Sequence, residues 1–143
     1  METTTRYENE FAYFKTQNGG VVTVAFNAER KNNQKSDTDE IEVVASMSFC
    51  APQDTFCKSK GRMIAKNRLT ADTDRAVKYQ FTFDAEKDAP LTVAVMPKLK
   101  SLLDTVGGGT PRDRREMKIP RWFPSDPERI KYRSRPARAR STN

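Results

Sequence analysis

Between residues 77 and 83 the chain alternates strictly: Val77, Tyr79, Phe81 and Phe83 share one parity, while Lys78, Gln80 and Thr82 share the other. Successive side chains of a strand point to opposite faces, so this run satisfies both parities as a β-strand with one face on a core and the other toward water. A chain containing such a strand needs a sheet for it to join and a layer to cover the apolar face.

Earlier runs supply that sheet. Apolar residues alternate around Phe11 and Tyr13, Gln17-Asn18-Gly19-Gly20 can reach positive φ, and Val21-Val22-Thr23-Val24-Ala25-Phe26 is β-branched, which predicts a β-hairpin. A polar loop from Lys31 to Thr38 leads to a third strand-like run, Ile41 to Phe49. From Asp54, a good N-cap residue, Cys57, Gly61, Ile64, Ala65 and Arg68 recur at helical spacing and predict a helix over 55–69. Gly61 inside it costs about 1 kcal/mol against Ala, which points to close approach of helix and sheet. Pro97 opens a second helical pattern in which Leu99, Leu102, Leu103 and Val106 fall at i, i+3, i+4 and i+7 before Gly107; residues 91–95 fit strand or helix. The expected fold is α+β: a single antiparallel sheet of four to five strands with two helices packed on one face, plus a disordered C-terminal tail.

The tail is set apart by its charge. Residues 1–111 carry 15 Lys and Arg against 15 Asp and Glu, residues 112–143 carry 11 against 4, and the whole formal charge of +7 therefore lies in the second segment. Pro111, Pro120, Pro124, Pro127 and Pro136 forbid a long helix there, and Gly107-Gly108-Gly109 offers a junction with maximal backbone freedom. The chain as a whole is 36% apolar, below the ~45–50% usual for globular proteins. These observations predict an α+β domain over 1–106, a Gly-rich linker over 107–111 and a disordered Arg-rich tail over 112–143.

Several classes of function are disfavoured. With no histidine the chain lacks the commonest general base and every Ser-His or Cys-His nucleophile pair, and it cannot complete a Cys/His zinc set. The glycine triplet has neither the spacing nor the lysine of a phosphate-binding P-loop. Asp37, Asp39, Glu40 and Glu42, like Asp72 and Asp74, match no calcium-loop spacing and read as solvated loops. No catalytic residue, metal or cofactor is expected, and the chain reads as non-enzymatic. Cys50 and Cys57 read as reduced structural thiols of a cytosolic protein, with a disulfide or redox switch as the alternative. No apolar stretch approaches the ~18–20 residues of a bilayer span, and Met1 to Thr5 lacks the features of a secretion signal, so a cytoplasmic location without membrane contact is expected.

The cationic tail is the most informative feature. Its basic residues are Arg112, Arg114, Arg115, Lys118, Arg121, Arg129, Lys131, Arg133, Arg135, Arg138 and Arg140, with Trp122, Phe123 and Tyr132 interleaved. Guanidinium groups pair bidentately with phosphate, and a base stacked on an aromatic ring gains ~1–3 kcal/mol, so a nucleic acid, single strands or RNA in particular, is one partner that fits. Lys58, Arg62 and Lys66, four apart on the first helix, form a second basic stripe that can follow a phosphate backbone or remain a solvated face. Two other readings of the tail stay open. Trp122 and Phe123 can dock on the domain as an anchor while the arginines solvate the end, or the tail can grip an acidic protein surface as a protein-interaction module. Oligomeric state is not encoded in any pattern here.

Residues 48–69, with Pro52, Asp54, Phe56, Lys58, then Gly61-Arg62-Met63-Ile64-Ala65 and Arg68-Leu69, resemble a segment of small uncharacterised bacteriophage proteins. The resemblance implies an accessory protein in the cytoplasm of a bacterial host that binds DNA or RNA or blocks a host enzyme. It brings no catalytic residues with it.

Overall fold

The computed structural model describes residues 2–71, 77–126 and 129–132. Its elements are β1 (Glu2–Thr16), β2 (Val21–Asn33), β3 (Thr38–Cys50), α1 (Lys58–Thr70), β4 (Tyr79–Glu86), α2 (Leu91–Gly107), α3 (Pro111–Glu116) and β5 (Ile130–Tyr132). The five strands form one sheet in the order β4-β3-β2-β1-β5, and every neighbouring pair is antiparallel. The α+β class with a single antiparallel sheet is thus the architecture of the protein.

The hairpin turn works as its composition requires. Gly19 takes φ +97°, and the Thr16 hydroxyl accepts from the Gly20 N–H at 2.8 Å while Thr16 and Gly20 close the backbone ladder at 2.9 Å. Farther along β1 the register shifts between Tyr7 and Glu10: Asn9 adopts φ 58° and its N–H reaches the side-chain oxygen of Asn27 at 2.9 Å, a β-bulge.

Pairing assigns each strand residue to a face. Ala12 and Phe14 of β1, Val22, Val24 and Phe26 of β2, Val43, Ala45 and Met47 of β3 and Tyr79 of β4 share one face and one core with Leu91, Val95, Leu99, Leu103 and Val106 of α2. Burying each of the larger aliphatic and phenylalanine side chains contributes roughly 1.5–3 kcal/mol, and this is the main core. Helix α2 starts at Leu91, six residues before Pro97, because Leu91 and Val95 continue the buried row of Leu99 and Leu103. That burial outweighs the roughly 3 kcal/mol a proline costs inside a helix. The residue whose carbonyl loses its partner, Val93, lies on the solvent side.

The opposite parity carries a smaller cluster, in which Ala25 packs with Ala65 and Leu69 of α1, flanked by Phe11 and Val44. The expectation of two helices on one face is therefore corrected: α2 and α1 cover opposite faces. Periodicity within a helix shows that it has an apolar side, but not which side of the sheet receives it. Gly61 marks the close approach of α1, since a β-carbon there would sit 2.7 Å from Thr23 Oγ1, and Ser48 donates to the Gly61 carbonyl at 2.9 Å. The helix begins at Lys58 rather than 55; Asp54 instead closes a turn with Ala51 at 3.0 Å, and Phe56 packs edge-on against Tyr13 at 6.2 Å.

The chain does not leave the domain at Gly107. This residue is the buried last residue of α2, where a β-carbon would meet the Pro124 carbonyl at 2.5 Å. Thr110 then caps α3 by accepting from Asp113 N–H at 3.1 Å. Ile119, Phe123 and Ile130 are buried in the main core, and β5 pairs with the end of β1 through Phe14↔Tyr132, Lys15↔Lys131 and Thr16↔Ile130. The 107–111 linker and the part of the 112–143 tail up to residue 132 are thus folded where they are described, because a few apolar side chains among the arginines complete the core. Arg133, Arg135, Arg138 and Arg140 lie outside the described residues.

Candidate nucleic-acid interface

Strand pairing brings two separate basic segments together. Tyr13 and Lys15 of β1 lie on the face that α1 covers, because their register partners Thr23 and Val21 have that parity and Thr23 touches Gly61. Lys131 stands directly across from Lys15 in β5. Like charges opposed across an antiparallel pair are destabilising, so this edge holds two exposed ammonium groups where a neutral or opposite pair would be more stable.

The α1 stripe continues the row. Lys58 Nζ sits 5.2 Å from the Tyr13 ring centroid, and the Arg62 guanidinium carbon lies 5.3 Å from the Phe11 ring and 5.7 Å from the Tyr13 ring. Arg62 Nε also donates to the Tyr13 hydroxyl. These contacts hold the two cations over β1. Lys66, exposed one helical turn on, lines the same groove as Phe11, Lys58 and Arg62. A neighbouring groove is lined by Lys15, Thr16, Gln17, Arg129 and Lys131. Among the described residues, no carboxylate lines either groove. Arg129 makes a loose pair with Asp126 at 3.7 Å and shares a third groove with Arg121.

Other expected site residues do different work. Arg114 is an internal clamp: its guanidinium donates to the carbonyls of Gly107 at 2.9 Å, Pro120 at 2.8 Å and Phe123 at 2.6 Å, tying the end of α2 to the segment that carries Phe123. Trp122 is half-buried, edge-on to Phe49 at 6.2 Å and to Phe123 at 6.2 Å, with its ring against Gly20. Arg112 pairs with Glu116 at 3.2 Å along α3, and Arg115 is exposed beside it. Lys118 occupies a left-handed turn at φ 57° and lines a groove with Arg68, Tyr79 and Met117, apart from the Lys58–Arg62–Lys66 groove. Tyr132 is placed only by its backbone register opposite Phe14.

The acidic segment near β3 is dispersed by its alternation. Asp39 is buried and accepts from Arg30 Nε at 2.7 Å, while Glu40 pairs with Lys31 at 3.7 Å. Arg30 extends to the Glu86 carbonyl at 3.1 Å and to that of Ala89, which pins the β4–α2 connection. Asp72 and Asp74 lie outside the described residues.

The row Lys66, Arg62, Lys58, Lys15 and Lys131 was only partly visible beforehand. Lys15 was missed because its significance comes from its cross-strand partner. No family model, curated protein or solved structure matches the chain. Among the described residues, no helix is long and apolar enough to cross a membrane.

Proposed function

We propose that the protein is a non-enzymatic nucleic-acid-binding accessory protein that holds a phosphate backbone along the row Lys131, Lys15, Lys58, Arg62 and Lys66. The observation that carries this reading is the in-register Lys15↔Lys131 pair beside the α1 stripe, in grooves that no carboxylate lines among the described residues. A polyanion laid over these groups neutralises like charges that the fold sets against each other, and it releases its own condensed counterions in doing so. Arg121 and Arg129 extend the row at one end, and the chain beyond Tyr132 adds further arginines.

The chemistry favours backbone contact over base stacking. Trp122 is engaged with Phe49 and Gly20, while Tyr13 and Phe11 already face cations, so none of these three rings offers a free platform. Phosphate contacts position a nucleic acid without reading its bases, and binding of low sequence specificity follows. The phage-like segment at 48–69 fits a working place in a bacterial cytoplasm.

Fluorescence anisotropy of labelled single- and double-stranded oligonucleotides tests the proposal across a salt series with the full chain. Five phosphate contacts correspond to a log–log salt slope of about −4 to −5 on duplex. Lys15→Glu with Lys131→Glu should weaken binding at low salt by an order of magnitude or more. No binding at low salt would overturn the reading, and capture of an acidic protein by the same row would then be the alternative to pursue.

A further inference from the structure

Both cysteines open onto one groove at the start of α1, shared with Asp54, Lys60 and Ser48. They differ in setting. Cys57 is exposed and occupies the N-cap position of a helix that has no side-chain oxygen cap and no acidic residue in its first turn. Cys57 Sγ lies 3.4 Å from Ser59 Oγ, and this hydrogen bond, then the Lys60 backbone N–H, hold the thiol below its ordinary pKa. Helix N-termini favour thiolate in this way. Cys50, at the end of β3, is half-buried, and burial followed by the charge of Asp54 pushes its thiol up. Its Sγ lies 3.9 Å from the carbonyl oxygen of Asp54, three residues before Cys57. The intervening 51–57 segment contains one turn and no helix or strand, so little regular structure opposes an approach of the two sulfurs across the groove they share. An exposed Cys57 also departs from the expectation of buried structural thiols.

We infer that Cys57 and Cys50 are a reactive thiol pair, in which Cys57 reduces a hydroperoxide and Cys50 resolves the product as an intramolecular disulfide. In the first step the Cys57 thiolate attacks one peroxide oxygen; an S–O bond forms, the O–O bond breaks, and the departing oxygen takes a proton to leave as alcohol or water. Cys57 is oxidised to sulfenic acid and the peroxide is reduced. In the second step Cys50 attacks the Cys57 sulfur; the S–S bond forms, the S–O bond breaks, and the oxygen leaves as water with the Cys50 proton. Cys57 also lines the groove of Lys58, Arg62 and Lys66, but the inference does not rest on the phosphate-binding reading, and its test uses no nucleic acid.

The full chain, reduced and freed of reductant, is exposed to one equivalent of hydrogen peroxide, blocked with an alkylating agent and cut with trypsin. Residues 36–58 carry no internal Lys or Arg, so both cysteines arrive in one peptide. The expected result is that this peptide loses the mass of two hydrogen atoms and resists alkylation. Cys50→Ser should instead accumulate a sulfenic acid at Cys57, trapped by a cyclic dione, and Cys57→Ser should yield neither product while keeping native Trp122 emission. A wild-type peptide that stays reduced, a disulfide formed only between chains, or equal sulfenic acid yields in the two variants would overturn the inference.

Discussion

A β-carbon placed on Gly20 would lie 2.1 Å from Cζ3 of Trp122. Glycine at the end of the hairpin turn thus leaves room for an indole contributed from the far end of the chain, and Asn18 of the same turn donates to the Trp122 carbonyl at 2.9 Å. Gly20→Ala should therefore destabilise the protein by about 1–3 kcal/mol through overpacking. Urea unfolding followed by circular dichroism measures it, because Trp122 is the one tryptophan of the chain, and combining the change with Trp122→Leu should recover part of the loss. An additive double variant would show that the ring does not rest on this glycine.

Arg114 tests whether the C-terminal segment is part of the fold. Arg114→Ala removes donors from three carbonyls and should cost about 2–4 kcal/mol, since hydrogen bonds from a charged donor contribute about 1.5–3 kcal/mol. Arg114→Lys should rescue little, because a compact ammonium cannot span carbonyls on Gly107, Pro120 and Phe123 at once. Thermal unfolding of both variants is the measurement, and full rescue by lysine would contradict the clamp.

Lys15→Glu separates stability from binding. It turns the Lys15↔Lys131 opposition into an attractive cross-strand pair, so the unfolding midpoint should rise by the equivalent of about 0.2–1 kcal/mol. The same substitution should weaken oligonucleotide binding. A parallel fall in both would mean that Lys15 acts through the fold alone.

Tyr79 makes stability depend on alkaline pH. Burial pushes its hydroxyl from the ordinary value of 10.0 to about 12, so the folded protein holds the proton after the unfolded chain has lost it. Its contribution is complete below pH 10 and declines as pH rises toward 12, by at most about 1.4 kcal/mol per pH unit. Tyr79→Phe should flatten this decline in denaturant midpoints measured between those pH values. An unchanged slope would assign the alkaline loss to other groups.

Much of the architecture was legible along the chain. The alternation of Tyr79, Phe81 and Phe83, the β-branched run after Gly20 and the helical spacing around Gly61 each correspond to an element of the structure. Gly61 is legible as a point of close approach, because an interior helix glycine has few other uses. The C-terminal segment departs from its composition for a physical reason. Charge and proline content dominate an average over 112–143, whereas folding there depends on three apolar side chains, Ile119, Phe123 and Ile130, that find the core left open by α2 and β1. Trp122 and Phe123 as a hydrophobic anchor, one of the readings left open, describes how these residues sit.

What the sequence by itself determined is local: which runs are strands, which are helices, where the hairpin turns, and that the cations outnumber the acids only toward the C-terminus. These follow from periodicity and backbone preference, which act between near neighbours. Only the tertiary structure decided that α1 and α2 take opposite faces, that Arg114 is spent on carbonyls while Lys15 meets Lys131, and that two basic segments become one row. Those outcomes depend on which apolar surfaces remain uncovered once the sheet has formed, and burial is non-directional, so no single segment encodes them.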